Sequence, residues 1–402
     1  MRRVLPVCLF FLAAADAMAG VGSWHVPHPW RADAAVEGRR IDYGDERFLH
    51  LFSYEHAVDA PGPVGQGVRG TGGSVDSDTL YYDFRFLRDF AFDNGATAGV
   101  LDVQRSEDFD GAFDRQIFGL RHDLNDDWGL SLRGDVLAEK SGSDVYLGVY
   151  RYLPGDGWLQ AQWVLADAYL NEKTIDDAEF TDQPVTTFIQ WHQPRENGHT
   201  TISLNLSPKS TLVDRDQGVT VNSKQVRLGV QHWFGSPEQQ WRISANGERT
   251  RRLHTLAEIP ARQGFARDFA EATLSSHFNT VEGRPWLGIR YLWLHERGWF
   301  GRAVNDNGRV MRKEPMGFAG MHLDIGERST LAPTVYISRA RVEQEAVGDW
   351  SARDEDAWIG KLSLPWHLTV DAATGAVVTV SPSFRLHRFA FGGGNVQFHW
   401  PL

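Results

Sequence analysis

Past its N-terminal segment, the 402-residue chain has no cysteine and no apolar run long enough to cross a bilayer as a helix. Its one thiol, Cys8, sits inside the leading apolar stretch, so the chain without that stretch forms no disulfide and does no thiol chemistry. Any membrane insertion must then be by strands. Catalytic and cofactor signatures are missing as well: there is no Gly-x-Ser-x-Gly elbow, phosphate loop, dinucleotide fingerprint or calcium-loop pattern. His25 and His28 form a His-x-x-His pair with no cysteine or carboxylate cluster beside it, so no metal and no cofactor are expected. Acidic residues outnumber basic ones by 52 to 41, a formal charge of −11, which disfavours nucleic acid as a partner.

What is present begins at the N-terminus. Arg2 and Arg3 precede an apolar run from Val4 to Ala15, and Ala17 and Ala19 place small residues at −3 and −1 of a cleavage point before Gly20. That layout is a secretory signal peptide over residues 1–19. Residues 20–46 show neither clean alternation nor helical period and read as a tail or short plug, with Trp24 and Trp30 as anchors. Residues 47–402 read as one domain. Its 40 Gly, 15 Trp and 23 Phe, in a chain of negative mean hydropathy, suit a barrel with one apolar and one wet surface.

Alternation at every second residue recurs along this domain. Trp128, Leu130, Leu132 and Val136 share one face, and Ser131, Arg133 and Asp135 the other; Ile202, Leu204 and Leu206 stand against Thr201, Ser203 and Asn205. Eighteen such segments, the weakest at 48–54, predict an all-β fold: a transmembrane antiparallel meander barrel of about eighteen strands, or sixteen if 48–54 does not pair. Connections from residue 168 onward alternate between long and short, the asymmetry of a barrel with short periplasmic turns and long extracellular loops. Strand parity then puts both barrel ends, and the tail 20–46, in the periplasm. Trp128, Trp158, Trp191, Trp233, Trp241, Trp286 and Trp366 each lie within three residues of a short turn, and Trp400 lies at the chain end, as expected of a belt at one membrane interface. Pro333, Pro365 and Pro382 fall inside expected strands, and Pro382 predicts a bulge.

Over this length the chain resembles a Gram-negative outer-membrane β-barrel, and its ending GGGNVQFHW resembles the aromatic-ended closing strand that the barrel-assembly machinery reads. Pro401 and Leu402 depart from that pattern by following the aromatic. The resemblance implies an outer-membrane location, lipid bilayer and lipopolysaccharide as surroundings, and Val396, Phe398 and Trp400 as assembly signal.

With the apolar face given to lipid, Arg85, Arg115, Arg121, Arg133, Arg227, Arg242, Arg290, Lys361 and Arg385 turn inward. Fewer acids do so: Asp83, Asp135, Glu271 and Asp324, with Glu248 near a rim. Fixed guanidinium groups in a confined pore concentrate anions, so a basic lumen is expected. Tyr146, Tyr150, Phe188 and Tyr336, with Tyr81, Trp233 and Phe318, are inward rings able to stack on sugars. These features resemble the alginate-export type of exopolysaccharide channel and, more loosely, substrate-specific porins. The resulting expectation is a non-enzymatic channel for anionic or polar glycans, serving polysaccharide export or oligosaccharide uptake, with periplasmic secretion partners. Two alternatives stand beside it: an outer-membrane lipid hydrolase or deacylase using inward His192, His277, His322, His367, His387 or His399 with a neighbouring serine, and a non-conducting surface or assembly scaffold.

Overall fold

The computed structural model describes residues 67–401 except 75–79, 93–95, 109–110, 136–144, 166–171, 174–177, 183–184, 216–217, 257–261, 300–306 and 347–351. The expected signal peptide, tail and strand 48–54 lie outside the described residues. Among those described there is no helix; the chain is a succession of antiparallel strands.

Seven strands pair in sequence: Gly67–Ser74, Leu80–Ala91, Thr97–Asp108, Gly111–Asp123, Trp128–Asp135, Val145–Leu153 and Gly157–Leu165. Six more follow, five of them of 14 to 18 residues: Val185–Arg195, Gly198–Asp214, Val219–Gly235, Gln239–Leu256, Arg262–Phe278 and Trp286–Trp299. Three staves are interrupted: Asn307–Gly320 with Leu323–Gly326, Ser329–Leu331 with Thr334–Gln344, and Arg353–Ser363 with Trp366–Asp371. Ala376–Arg385 and Ala390–Pro401 complete the wall. The last strand pairs with the first, Gly67 opposite Pro401 and Ser74 opposite Gly394, which closes the sheet and removes its edges. Eighteen staves therefore form the ring, the expected number, but its first strand is Gly67–Ser74. A small hairpin, Glu172–Lys173 with Ala178–Asp182, extends the wall by pairing with the far end of Gly198–Asp214.

The alternation sets the two faces. Leu130, Leu132, Val226, Leu228, Leu287 and Ile289 are exposed on the outer wall, whereas Gln160, Gln162, Asn205, Thr273 and Ser275 are buried on the inner one. This inverts a soluble protein and is what lipid outside and a polar lumen inside require. On Val219–Gly235 the outward residues run Phe234, His232, Val230, Leu228, Val226 and then Lys224. Ten residues of a strand tilted by some 40° span about 25 Å, the height of a membrane's apolar band. His232 sits at the lower end of that band, where its Nδ1 lies 2.8 Å from Thr200 Oγ1 and its ring stacks on Phe234.

Proline explains the interruptions. Pro333 and Pro365 occupy the breaks before Thr334 and Trp366, and the register shifts between Pro382 and Phe384, the expected bulge. Lacking N–H groups, the three still accept in a row across neighbouring staves, Pro333 O from Met321 N, Pro365 O from Ala332 N and Pro382 O from Leu364 N.

Candidate functional site in the lumen

Short turns gather a ring of indoles and imidazoles at the periplasmic mouth. Trp158 stacks on His192 at 5.4 Å, His192 meets His199 at 5.5 Å, and His199 reaches Trp233 at 6.3 Å. Trp233 then contacts His277 at 5.1 Å, His277 stacks on Trp286 at 6.4 Å, and Trp286 meets His322 at 4.6 Å. Six of the seven stand beside a short turn on an inward position of a strand, where register aligns them, and His322 joins them from the turn itself. This corrects the expectation of one tryptophan belt at the membrane interface, and agrees with the inward reading of Trp233. Trp128, Trp241, Trp366 and Trp400 are exposed outside, but Trp158, Trp233 and Trp286 belong to the lumen.

His322 lies in the turn after Gly320, outside the membrane-spanning strands. Burial holds its imidazole below the usual range, helped by the positive Arg284 and by His367 and opposed by Asp324. A depressed base contributes stability above its unfolded value near 6.5 and loses it as pH falls through the folded value. Thermal unfolding of detergent-folded protein followed from pH 7 to 4 should therefore show a fall that shrinks in the variant His322→Gln; an unchanged profile counts against this.

Above the ring the wall turns polar. Gln190, Thr201, Ser203, Gln231, Ser244, Asn246 and Thr273 line a cavity of about 230 Å³ together with Arg242, Glu271 and Arg290. Arg242 places its guanidinium 5.4 Å from the Trp233 ring, joining the aromatic mouth to the polar cavity. Arg290 and Glu271 are both buried and lie 2.5 Å apart. Further toward the extracellular side come Arg227 with Glu248 at 2.8 Å, Arg267 with Glu296, and Arg312 with Glu314. Glu248 also accepts from Gln225 at 3.0 Å and Thr250 at 2.8 Å.

The inward basic set is thus divided. Arg227 and Arg290 are consumed by ion pairs, while Arg121, Arg133 and Lys361 are buried on the inner wall. Lys361 stands opposite Arg385 in register. Arg85 and Arg115 flank Gln104 in one cross-strand row, and their side chains, like those of Asp83, Asp135 and Tyr81, lie outside the described residues. Asp324 is at the periplasmic rim, where it pairs with Arg284 at 2.8 Å. Sequence reading missed Arg252, Arg267, Arg312, Glu296 and Glu314, which lie in strand ends longer than alternation shows.

The four rings expected to stack on sugars are packed in the wall. Tyr146 and Phe188 join Ile117, Trp158 and Val164 in one buried cluster, and Tyr336 packs with Phe318, Met316 and Ile359 in another. Tyr150 donates to Asp123 at 2.5 Å and lies across Gly129, where a Cβ would sit 2.1 Å from the phenol. These side chains shape the lumen, and Trp158 and His192 of the ring are buried with them; the half-buried aromatic surface is its remaining part, His199, Trp233, His277, Trp286 and His322. His387 is exposed in the hairpin after Arg385, beside Gly360, instead of lining the wall. Ser275 Oγ lies 3.2 Å from His277 Nε2, but no carboxylate bonds this imidazole among the described residues, so the third member of a hydrolytic triad is missing.

A closed antiparallel barrel with an apolar outer wall, a charged inner wall and unequal connections is an outer-membrane β-barrel. Among solved structures the chain is similar to OccD3 of Pseudomonas aeruginosa, at 12% identity and a TM-score of 0.44, over 84% of this chain and 91% of that one. It is also similar to OccK11 of the same organism, at 12% identity and 0.42, over 84% and 97%. A third is the loop L8 deletion mutant of OmpT, an outer membrane protein of Vibrio cholerae, at 12% identity and 0.39, over 83% and 97%. No family profile and no curated protein matches the sequence.

Proposed function

We propose that the protein is an outer-membrane channel for polar or anionic glycans, in polysaccharide export or oligosaccharide uptake. The observation that carries this reading is the cavity of amides and hydroxyls, with Arg242 and the Arg290–Glu271 pair, directly above the Trp/His ring. Amide and hydroxyl groups exchange hydrogen bonds with sugar hydroxyls as they do with water, indole faces cover apolar sugar faces, and a guanidinium fork donates paired N–H bonds to a carboxylate. Strong binding is not needed. A conduit must hold its cargo weakly at several sites in succession.

Arg242 is the cation that joins the two parts, so it sets the selectivity test. In planar bilayers the channel should prefer anions, and Arg242→Glu should reduce that preference several-fold or invert it, more so at low salt than at high. Block by an acidic oligosaccharide should weaken in the same variant and in Trp233→Ala. Cation preference in the unmodified protein, or block indifferent to both changes, would sink the reading.

A further inference from the structure

We propose that the extracellular rim binds an extended basic peptide segment of a partner protein, added as a strand to an open sheet edge at residues 354–358. This goes beyond the channel reading and does not depend on it.

The staves differ in height, so closure of the ring still leaves an edge wherever one outgrows its neighbour. Gly198–Asp214 rises above Val185–Arg195, and there the hairpin Glu172–Lys173 with Ala178–Asp182 covers it, pairing Asp182 with Thr211 and Ala178 with Asp214. On the far side of the tall sector Arg353–Ser363 rises above Ala376–Arg385 in the same way. Register between these two covers Lys361, Leu362 and Ser363, and pairing ends where Leu386 N donates to Gly360 O at 2.8 Å. Backbone groups of every second residue in a strand point the same way, so those of Trp358, Asp356 and Asp354 point with Gly360 into the gap. The ladder to Thr334–Gln344 on the other side continues to Arg353 opposite Gln344. Three N–H and three C=O groups thus face the gap with no hydrogen-bond partner among the described residues. Side chains there are bare on both faces: Asp354, Glu355, Asp356 and Ala357 are exposed, and Trp358 is 66% exposed.

An edge of this kind is a template for pairing, and proteins usually blunt it, as the hairpin does on the opposite side. Only a polypeptide backbone repeats donor and acceptor at the spacing of a ladder, which makes the occupant a peptide and not a glycan or a lipid headgroup. Charge selects which peptide. Residues 343–356 hold six acids, Glu343, Glu345, Asp349, Asp354, Glu355 and Asp356, against Arg353 alone, a formal −5. Arg339 takes up Asp356 at 2.7 Å, Arg341 takes up Glu343 at 3.1 Å and Arg309 takes up Glu345 at 3.6 Å, which still leaves the segment acidic. A second copy of this chain would bring the same acidic edge and be repelled. The floor of the gap is apolar, because Leu386, Phe389 and Phe391 of the short hairpin are exposed beside it. An incoming strand therefore fits with basic residues beside Asp354 and Asp356 and an apolar one beside Trp358.

The test uses the full mature protein, folded in detergent, and a fluorescent peptide alternating lysine with valine. Its control is the same peptide methylated on every backbone nitrogen, which keeps the charge and loses the donors. Asp354→Pro removes an N–H on the open side only and leaves the other ladder intact, so heat-modifiable mobility should be unchanged. Saturable binding is expected, weakened by at least about tenfold on methylation and several-fold in Asp354→Pro. Amide exchange at residues 354, 356 and 358 should slow in the complex. Equal binding of the two peptides, or binding of neither, would overturn the proposal whether or not the variant folds. Unchanged exchange at those amides in the saturated complex would overturn it too, as would a dimer of the unliganded protein that Asp354→Pro dissociates, since the edge would then belong to a second copy.

Discussion

Replacing Arg290 by methionine is expected to cost the barrel about 3–5 kcal/mol of stability, because Glu271 is left as a buried charge without its partner. The two side chains are 3% and 7% exposed, so water cannot stand in for the guanidinium. Replacing both, as Arg290→Met with Glu271→Leu, removes the charge with its partner and should recover most of the loss. Urea unfolding of the detergent-folded protein, read by tryptophan fluorescence, separates these outcomes. A single variant within about 1 kcal/mol of the unmodified protein would place Glu271 in contact with solvent and make the pair part of an open pore surface. The comparison also bears on the channel reading, since Arg290 lines the polar cavity. If the double variant keeps its stability but loses block by an acidic oligosaccharide, the pair serves cargo as well as wall.

The parts of this fold legible in the sequence are those where lipid and water lie on opposite faces. Leu130 and Leu132 against Ser131 and Arg133 announce a strand because one face must be apolar and the other need not be. Above the bilayer that contrast disappears. The stretch Arg249 to Leu256 continues its strand with Arg249 and Arg251 outside and Thr250, Arg252 and His254 inside, both faces polar, so period two carries no signal. The same holds for Glu296 to Trp299 and for Asn307 to Glu314, and with them went Glu296, Arg312 and Glu314. Of the inner ring, Trp233, His192, His277 and His322 were read as inward, whereas the inward place of Trp158 and Trp286 was hidden for a different reason. Trp158, Trp233 and Trp286 sit within three residues of short turns, as lipid-facing tryptophans do, and only strand parity distinguishes the two groups. Tyr146, Phe188 and Tyr336 were placed on the correct face, but whether an inward ring is open or packed depends on neighbours two and three staves away, which no local pattern records.

Closure of the ring rests on the seam between Gly67–Ser74 and Ala390–Pro401, and a second large effect is expected there. Both strands are rich in glycine, and the sequence GVRGTGGS has no apolar alternation of its own; it is a strand because its neighbours supply the pairing. Two of its glycines make opposite predictions. A Cβ at Gly70 would meet the Phe398 ring at 2.3 Å, the far part of a side chain that can swing into lipid, so Gly70→Ala should fold with only a modest penalty. At Gly73 the contacts are the carbonyl oxygen of Gly394 at 2.3 Å and the Cα of Asn395 at 2.9 Å. Backbone cannot step aside without parting the two strands, so Gly73→Val should cost more than the roughly 1–3 kcal/mol usual for overpacking, lowering the folding equilibrium constant by more than about a hundredfold. Unfolded chains migrate apart from heat-modifiable barrels on gels, which gives the fraction directly. Phe398 packs at 6.4 Å from Phe84 across the seam, so loss of closure should also expose the aromatic end that we read as the assembly signal. Equal folding of Gly70→Ala and Gly73→Val would mean that the seam is open enough for a side chain, and that the barrel is held by its other seventeen joints.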